Sequence, residues 1–317
     1  MNEIISQCTA DPLEYDGLRS IRDFIRWSCS HFNRAGLFFG HGSDNALDEA
    51  NHLVFQVLDL PWDLPENYLD CSLTSDEKQA IADLVSRRIN ERKPLAYLLN
   101  QAWFCGLPYY VDERVLIPRS PISELIEEQF MPWLDGVKIH RALDLCCGSG
   151  CIGLALAQEF TEAKVDLLDI SDEALEVSRI NIDRYELWGR ISAMKSDLFD
   201  TLDTKPCYQL IVSNPPYVDE DDMADMPEEF RHEPELGLAA GQDGLAFARR
   251  ILAQAADYLD DEGILVLEVG NSQWALRDAY PDIPFIWPEF DQGGHGVLVL
   301  KAEDCRKYQS FFRKQSE

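Results

Sequence analysis

The sequence has no long apolar run, no cysteine pair with C-x-x-C spacing and few basic residues. No apolar stretch approaches the roughly 20 residues that span a bilayer, and the start, Met1 to Ile5, has no basic region before an apolar one. We therefore expect neither a membrane anchor nor a secretory signal. The nine cysteines include no C-x-x-C pair and no histidine at finger spacing, so we expect no metal site. Reduced cysteines in a cytoplasmic protein fit this pattern.

Basic residues are scarce: 28 of them against 57 acidic residues give a formal net charge of −29. A surface this acidic repels phosphate, so we expect no tight, sequence-independent binding to duplex DNA. It attracts a basic partner instead, although an acidic surface tuned for solubility or salt also explains the charge. With 317 residues, 46% of them hydrophobic, the chain has the composition of a globular protein and the length of about two domains.

Residues 1–100 predict a small helical domain. Ile21 and Phe24 begin an apolar series at helical spacing, and Leu47, Ala50 and Val54 mark one face of a second helix. Thr74-Ser75-Asp76-Glu77 has the pattern of a capping box, in which Thr74 begins a helix and Glu77 reaches back to it. We expect this domain to recognise the partner or substrate.

Residues 101–119 predict a β-hairpin that links this domain to the rest of the chain. Aromatic and β-branched residues between Trp103 and Val111, interrupted by Gly106-Leu107-Pro108, indicate the first part of the hairpin. Val115-Leu116-Ile117 is its predicted second arm.

Strands and helices alternate in the third region, residues 120–317. This alternation predicts a mostly parallel sheet with helices on both faces. The acidic stretch Asp219–Glu235 follows a strand and is predicted to be a loop at the ligand-binding edge of the sheet. The predicted strands are Ala142–Cys146, Val165–Ile170, Ile191–Met194, Leu210–Val212, Ile264–Val269, Phe285–Ile286 and Val297–Leu300.

A glycine-rich turn, Gly148-x-Gly150-x-x-Gly153, follows the first of these strands. Such a turn lets a ligand approach the backbone at a helix N-terminus, but alone it also matches a dinucleotide fingerprint. Asp144 favours a cationic ligand such as S-adenosylmethionine over a pyrophosphate, unless it is only a turn or helix-cap acid. Asp169 ends the second strand, where an acid accepts the ribose hydroxyls of an adenosine-type cofactor, unless it is a plain surface acid.

Two more segments follow strand ends. Asp197 is placed to accept the adenine amino group, with Leu198 packed on the ring, although an ordinary loop explains Leu198 equally well. Asn214-Pro215-Pro216-Tyr217 follows the fourth strand. The prolines have no N–H, so the Asn214 side-chain oxygen and the Pro215 carbonyl both offer acceptors to one planar NH2 group. Tyr217 is suited to pack against that group and face a cationic methyl, although these residues also make an ordinary turn.

Together, the Asp144–Gly150 loop and Asn214-Pro215-Pro216-Tyr217 resemble the class I S-adenosylmethionine-dependent methyltransferases that act on planar nitrogen. Over nearly the whole chain the sequence resembles, more narrowly, the protein-(glutamine-N5) methyltransferase family. The segments that carry this narrower likeness are Arg92-x-Pro94-x-x-Tyr97, Val115–Arg119, Arg231–Pro234 and Gly241-x-Asp243-Gly244. Pro118–Ile122 and Gly40–Ala46 resemble the branch that modifies protein three of the large (50S) ribosomal subunit.

The resemblance implies a Rossmann-like methyltransferase domain with a seven-stranded sheet over residues 120–317. It implies N5-methylation of a glutamine in that ribosomal protein, with S-adenosyl-L-methionine as donor and S-adenosyl-L-homocysteine as product. The implied catalytic residues are Asn214, Pro215 and Tyr217, and the implied substrate-binding residues add Pro216 and Arg119, where Arg119 holds either the hairpin or the substrate. The implied cofactor-binding residues are Asp144, Cys146, Gly148, Ser149, Gly150, Asp169, Ile170, Asp197, Leu198 and Asn214.

Other functions stay open at this point. The same chemistry serves methylation of the Gly-Gly-Gln loop of release factors. A nucleic-acid adenine N6-methyltransferase shares the tetrapeptide, but needs a basic cleft and a recognition domain that the sequence does not show. A non-catalytic, cofactor-binding factor for ribosome assembly is a third possibility, against which the intact Asn214 and Asp144 argue. His232 and Glu233 form either an acid–base pair or part of a structural loop.

Overall fold

The computed structural model describes residues 15–202 and 208–315. These residues form two compact units. The N-terminal unit contains the described residues up to Gln101 together with Pro227–His232, and the larger unit contains Ala102–Met226 and the residues from Glu233 onward. No helix among the described residues is long and apolar enough to cross a membrane.

The N-terminal unit is helical, as predicted. Its helices are α1 Ile21–Ala35, α2 Ala46–Val57, α3 Ser75–Glu91 and α4 Leu95–Leu99. The capping box at α3 is confirmed, since Thr74 accepts from the Glu77 N–H and the Glu77 side chain accepts from the Thr74 N–H. Ser20 and Asp23 make the same reciprocal pair at the start of α1. Each box satisfies backbone N–H groups that a helix end leaves without partners.

The predicted buried face of α2 is partly wrong. Leu47 is 50% exposed, whereas Glu49 is buried. The reason is an ion pair: Glu49 Oε1 accepts from Arg88 Nε at 2.6 Å inside the unit. Because it has such a partner, this carboxylate can occupy the buried face of α2, which therefore differs from the face that apolar residues alone indicate.

The predicted hairpin exists, but its predicted second arm is wrong. Strands β1 Ala102–Phe104 and β2 Leu107–Tyr109 pair antiparallel. The turn between them consists of Cys105 and Gly106, both at positive φ, which is the backbone of a two-residue hairpin loop. Because this tight turn pairs β1 with the residues that follow at once, Val115–Ile117 forms no strand.

A six-stranded sheet lies at the centre of the larger unit. The strand order is β5-β4-β3-β6-β7-β8, with β8 antiparallel to its neighbour and the others parallel. The strands are β3 Arg141–Leu145, β4 Lys164–Asp169, β5 Ile191–Lys195, β6 Tyr208–Ser213, β7 Leu259–Glu268 and β8 Val297–Lys301. This confirms the predicted α/β fold with a mostly parallel sheet.

The predicted strand Phe285–Ile286, which would complete a seven-stranded sheet, is reduced to one bridge between Ile286 and Val299. Both backbone hydrogen bonds of that pair form, at 3.2 and 2.8 Å. Pro284 and Pro288 stand two residues to either side, where an antiparallel ladder needs the next N–H donors. Proline has no N–H, so pairing ends after a single residue.

Helices cover both faces of the sheet, as predicted. Ala142, Leu210 and Val212 point into one apolar cluster, and their neighbours Leu143 and Ile211 point into the other. The helices are α5 Ile122–Glu127, α6 Cys151–Glu159, α7 Asp172–Arg184, α8 Glu220–Asp225, α9 Ala246–Ala255, α10 Gln273–Ala279 and α11 Ala302–Gln315.

The predicted loop over residues 219–235 is wrong in part, because it contains α8 and two 3₁₀ turns, Glu228–His232 and Glu235–Gly237. Asp219 begins α8 by accepting from the Asp222 N–H. Acidic residues in a first turn suit the positive end of a helix, so the acidic composition that suggested a loop also supports a short helix.

Candidate active site

A cleft of about 210 Å³ opens at the carboxyl ends of the parallel strands in the larger unit. The residues that follow β3, β4, β5 and β6 all reach it, because parallel strands end at the same edge of a sheet. The predicted residues that line it are Cys146, Gly148, Asp169, Ile170, Asp197, Leu198, Asn214 and Pro216. Asp144, Ser149, Gly150, Pro215, Tyr217 and Arg119 are outside this lining.

The glycine turn after β3 is held by carboxylates. The Gly148 N–H donates to Asp169 Oδ2 at 2.9 Å, and the Gly153 N–H donates to Asp144 Oδ2 at 2.8 Å. Gly153 has no room for a side chain, since a Cβ there would lie 2.1 Å from a methyl carbon of Leu167. The first turn of α6 therefore packs directly on β4, while Gly148 lines the cleft.

Asp144 lies beneath the glycine turn and is almost fully buried. One carboxylate oxygen is bound by Gly153, but Oδ1 has no hydrogen-bond partner within residues 15–202 and 208–315. Burial raises the pKa of Asp144 to about 8, and the nearby charge of Asp169 contributes to the rise. A nearby cation favours the ionised form of a carboxyl group, so Asp144 is expected to ionise when a cation lies beside it.

Asp169 occupies the end of β4 on the wall of the cleft. Its two oxygens accept from the N–H groups of Ser171 and Gly148, each at 2.9 Å. Burial raises the pKa of this carboxyl, while those two N–H donors act in the opposite direction. Ile170 beside it is exposed, so the wall offers a fixed acceptor next to an apolar surface.

The wall after β5 carries Asp197 and Leu198. Asp197 Oδ1 forms an ion pair with Arg250 Nη2 at 2.9 Å. Leu198 is buried and adopts a φ of 50°, a conformation that a leucine rarely takes without support from its surroundings. This backbone presents the leucine side chain to the cleft beside Phe247.

The tetrapeptide after β6 divides between the cleft and the protein interior. Asn214 and Pro216 line the cleft, and the buried Asn214 Oδ1 has no hydrogen-bond partner in the part of the chain that the structure describes. The Tyr217 hydroxyl donates to Glu268 Oε1 at 3.2 Å, and the Tyr217 carbonyl accepts from Ser272 Oγ at 2.8 Å. A residue that lines the cleft thus carries an acceptor with no partner in residues 15–202 and 208–315, on a loop that Glu268 and Ser272 hold.

Arg119 and Glu233 form a two-pronged ion pair in the larger unit. The two guanidinium nitrogens donate to the two carboxylate oxygens at 2.6 and 2.8 Å, and the Ile117 N–H also donates to Glu233 at 3.0 Å. In the N-terminal unit, His232 Nε2 lies 3.0 Å from the carbonyl oxygen of Glu91. These contacts favour structural roles for His232 and Glu233.

Sequence reasoning missed part of the cleft. Glu173 follows Asp169 closely and could be inferred from its place at the start of α7. Val115 and Leu116 carried no such signal, because they were expected to belong to a strand, and Arg114 directly precedes them. The main missed lining residues are Arg114, Val115, Leu116, Glu173, Leu236 and Phe247.

The sheet order, the glycine turn and the acceptor-bearing tetrapeptide define a class I methyltransferase. A family model described as "Methyltransferase small domain" matches residues 127–233. The chain is 48% identical over 300 residues to the ribosomal protein uL3 glutamine methyltransferase of Francisella tularensis, covering 94% of this chain and 95% of the relative. It is 46% identical over 287 residues to the protein of the same name from Neisseria gonorrhoeae, covering 90% and 95%.

The chain therefore belongs to the family of ribosomal protein uL3 glutamine methyltransferases, which confirms the branch that its motifs resemble. Among solved structures, it is similar to the catalytic domain of hMettl16 in complex with a 3′-UTR hairpin. The TM-score is 0.47 at 19% sequence identity, over 68% of this chain and 80% of that chain.

Proposed function

We propose that this enzyme transfers a methyl group from S-adenosyl-L-methionine to the side-chain amide nitrogen of a glutamine in ribosomal protein uL3. The observation that carries the proposal is the buried Asn214 Oδ1, an acceptor on the cleft that has no partner among the described residues. Such an atom costs free energy unless a ligand donates to it. Relatives of this name, at 46–48% identity over nine-tenths of the chain, support the substrate.

The cleft suits the cofactor chemically. When bound, S-adenosyl-L-methionine supplies a methyl group on a cationic sulfur. Asp169 offers its carboxylate to the ribose hydroxyls, and Leu198 with Phe247 and Ile170 provides apolar surface for the adenine.

The glycine turn and its neighbours complete the proposed cofactor site. The backbone at Gly148, Ser149 and Gly150 lets the cofactor approach closely, and Cys146 completes the wall of the cleft. Asp144 offers a carboxyl group that ionises when the cationic cofactor lies beside it, and Asp197 offers an acceptor at the adenine edge.

The tetrapeptide orients the glutamine amide. Asn214 Oδ1 and the Pro215 carbonyl accept the two amide hydrogens, which draws electron density onto nitrogen and favours the pyramidal transition state over the planar ground state. Pro216 shapes the wall beside it, and Tyr217 fixes the loop. Orientation of the nitrogen toward the methyl group supplies much of the rate. Arg119 keeps the Ile117–Arg119 segment in place through Glu233.

The charge of the chain fits this substrate class. A net charge of −29 attracts a basic protein and raises the rate at which the two meet. We propose that residues 1–100 form the substrate-recognition domain, that 101–119 link it to the methyltransferase domain of residues 120–317, and that the enzyme works in the cytoplasm.

The test is transfer of tritium from labelled S-adenosyl-L-methionine to unmethylated uL3, to release factors and to DNA, each offered separately. We expect label on uL3, mapped by mass spectrometry to one glutamine. Asn214→Asp should abolish transfer, because a protonated carboxyl can present a hydroxyl hydrogen where the amide presents its oxygen, and an ionised one buries a charge, while cofactor affinity changes less than about threefold. The matched control is Asn90→Asp, at an exposed asparagine of α3, which should transfer at the normal rate.

Label on release factors or DNA instead of uL3 would overturn the proposed substrate. Normal transfer by Asn214→Asp would overturn the proposed role of its side-chain oxygen.

A further inference from the structure

We propose that Glu268 is a positioning residue for Asn214-Pro215-Pro216-Tyr217, and that its ionised form holds this tetrapeptide through the hydroxyl of Tyr217. The inference rests on the proposed function and assigns a role to Glu268, a residue outside the cleft lining. Glu268 touches neither the cleft nor the expected substrate, so its effect passes through Tyr217.

The sheet places Glu268 beside the tetrapeptide. Strands β6 and β7 are parallel neighbours in which Ser213, the last residue of β6, pairs with Leu267. Glu268 is the next residue of β7 and Asn214 is the next residue after β6, so both leave the sheet at the same level. Glu268 is only 4% exposed, and a charged group in that position needs partners.

The partners of Glu268 are two hydroxyl groups. Ser120 Oγ donates to Oε2 at 2.5 Å, and the Tyr217 hydroxyl donates to Oε1 at 3.2 Å. Ser120 is itself fixed, because its oxygen accepts from the Ile122 N–H at the start of α5. Glu268 therefore joins the start of α5 to the loop after β6.

Tyr217 is held at its ring and at its carbonyl as well as at its hydroxyl. A Cβ on Gly270 would lie 2.4 Å from the ring, so the ring rests directly on that glycine. Ser272 donates to the carbonyl. Asn214 Oδ1 has no partner among the described residues, so the aim of this oxygen depends on the backbone that Tyr217 anchors three residues later.

The charge state of Glu268 sets the direction and strength of these two hydrogen bonds. The ionised carboxylate accepts from both Ser120 and Tyr217, whereas a protonated carboxyl donates at one oxygen, so the hydroxyl there must turn to accept and the charge-assisted bonds become weaker neutral ones. Burial raises the pKa of Glu268 to about 6, against the lowering effect of the two hydroxyls and of the Arg119 charge. The other charged group facing this cluster is Glu233, which pairs with Arg119.

A fall in pH is expected to lower kcat. Above pH 6 the ionised form holds Tyr217 through a charge-assisted hydrogen bond, and as the pH falls through 6 that anchor weakens. A displacement of about 1 Å at a reacting group costs on the order of 100-fold in rate. We therefore expect kcat for methyl transfer to fall on the acid side with an apparent pKa near 6, while cofactor affinity stays nearly constant.

The experiment compares wild type, Glu268→Gln and the control Glu262→Gln, an exposed acid on the same strand. At pH 8, Glu268→Gln should lower kcat by roughly 10- to 100-fold, change cofactor affinity less than about threefold, and remove the acid limb of the kcat profile. Tyr217→Phe should have a similar effect, and the double variant should be no worse than either single one. Glu262→Gln should match wild type.

A second readout needs no turnover. In enzyme labelled with ¹⁵N-asparagine, the side-chain resonance of Asn214, assigned from its absence in Asn214→Asp, should shift with a midpoint near pH 6 in wild type and not in Glu268→Gln. Equal kcat profiles, additive losses in the double variant, or an Asn214 resonance that ignores pH would each refute the inference. Failure of wild type to label uL3 would refute the proposed function alone, since the resonance still tests Glu268.

Discussion

Replacing Asp144 by asparagine is expected to flatten the dependence of folding stability on pH in the methyltransferase domain. Burial raises the pKa of Asp144 from its usual 3.8 to about 8. Between these values the folded domain keeps a proton that the unfolded chain has released, so stability falls as the pH rises. At 1.36 kcal/mol per pH unit, the loss between pH 5 and pH 7 is about 3 kcal/mol.

The Asp144→Asn variant has no charge to bury at this position, and its side-chain amide oxygen can still accept from the Gly153 N–H. Asp144→Asn should therefore lose about 3 kcal/mol less than wild type over the same pH interval. The variant should also bind S-adenosyl-L-methionine more weakly, because it lacks a carboxyl group that can ionise beside the cationic cofactor. The buried acid is thus expected to lower stability at neutral pH, a cost that its proposed role at the cofactor would explain.

Amide hydrogen exchange measures this effect strand by strand. The free energy of opening for the β3 amides, corrected for the intrinsic pH dependence of exchange, should fall with pH in wild type and stay nearly level in Asp144→Asn. The α1 amides in the other unit should not distinguish the two proteins. Asp225→Asn, at an exposed acid of α8, is the matched control. Parallel curves for wild type and Asp144→Asn would refute the reasoning.

Three further predictions concern other contacts. Glu229→Gln should destabilise the N-terminal unit by about 3 kcal/mol in urea titrations, since this buried carboxylate lies beside both Arg88 and Arg92; no change would show that the pairs contribute nothing. Gly270→Ala should lower kcat by roughly 10- to 100-fold at unchanged cofactor affinity, because its Cβ meets the Tyr217 ring; normal kcat would contradict this. Ser20→Ala should cost about 1 kcal/mol in thermal unfolding, and an equal Tm would contradict the capping role.

Local patterns predicted most of the fold. The capping box at Thr74 and the apolar strands of the sheet follow from residue order alone, because helix ends and strands are set by neighbours a few residues away. The glycine turn and the tetrapeptide were found for the same reason: each is a short run of residues with unusual backbone requirements. Their meeting in one cleft follows from the parallel sheet.

Two of the errors occur where a distant partner decides, and a third where a local signal was outweighed. Glu49 is buried on α2 because Arg88 approaches from α3, which no periodicity in α2 indicates. Val115 and Leu116 line the cleft and form no strand, since β1 already has its partner in β2. The predicted strand Phe285–Ile286 forms only one bridge because prolines lie two residues to either side of Ile286, a local signal that apolar composition had outweighed.

The sequence by itself determined the alternation of strands and helices, the residues proposed to meet the cofactor and the chemistry of Asn214. Only the tertiary structure decided which groups support these residues. Glu268 accepts from the Tyr217 hydroxyl, Glu233 pairs with Arg119, and one Asp144 oxygen has no partner among the described residues. The physical reason is that a side chain's chemistry is fixed by its own atoms, whereas its burial, its charge state and its hydrogen-bond partners depend on residues far away in the chain.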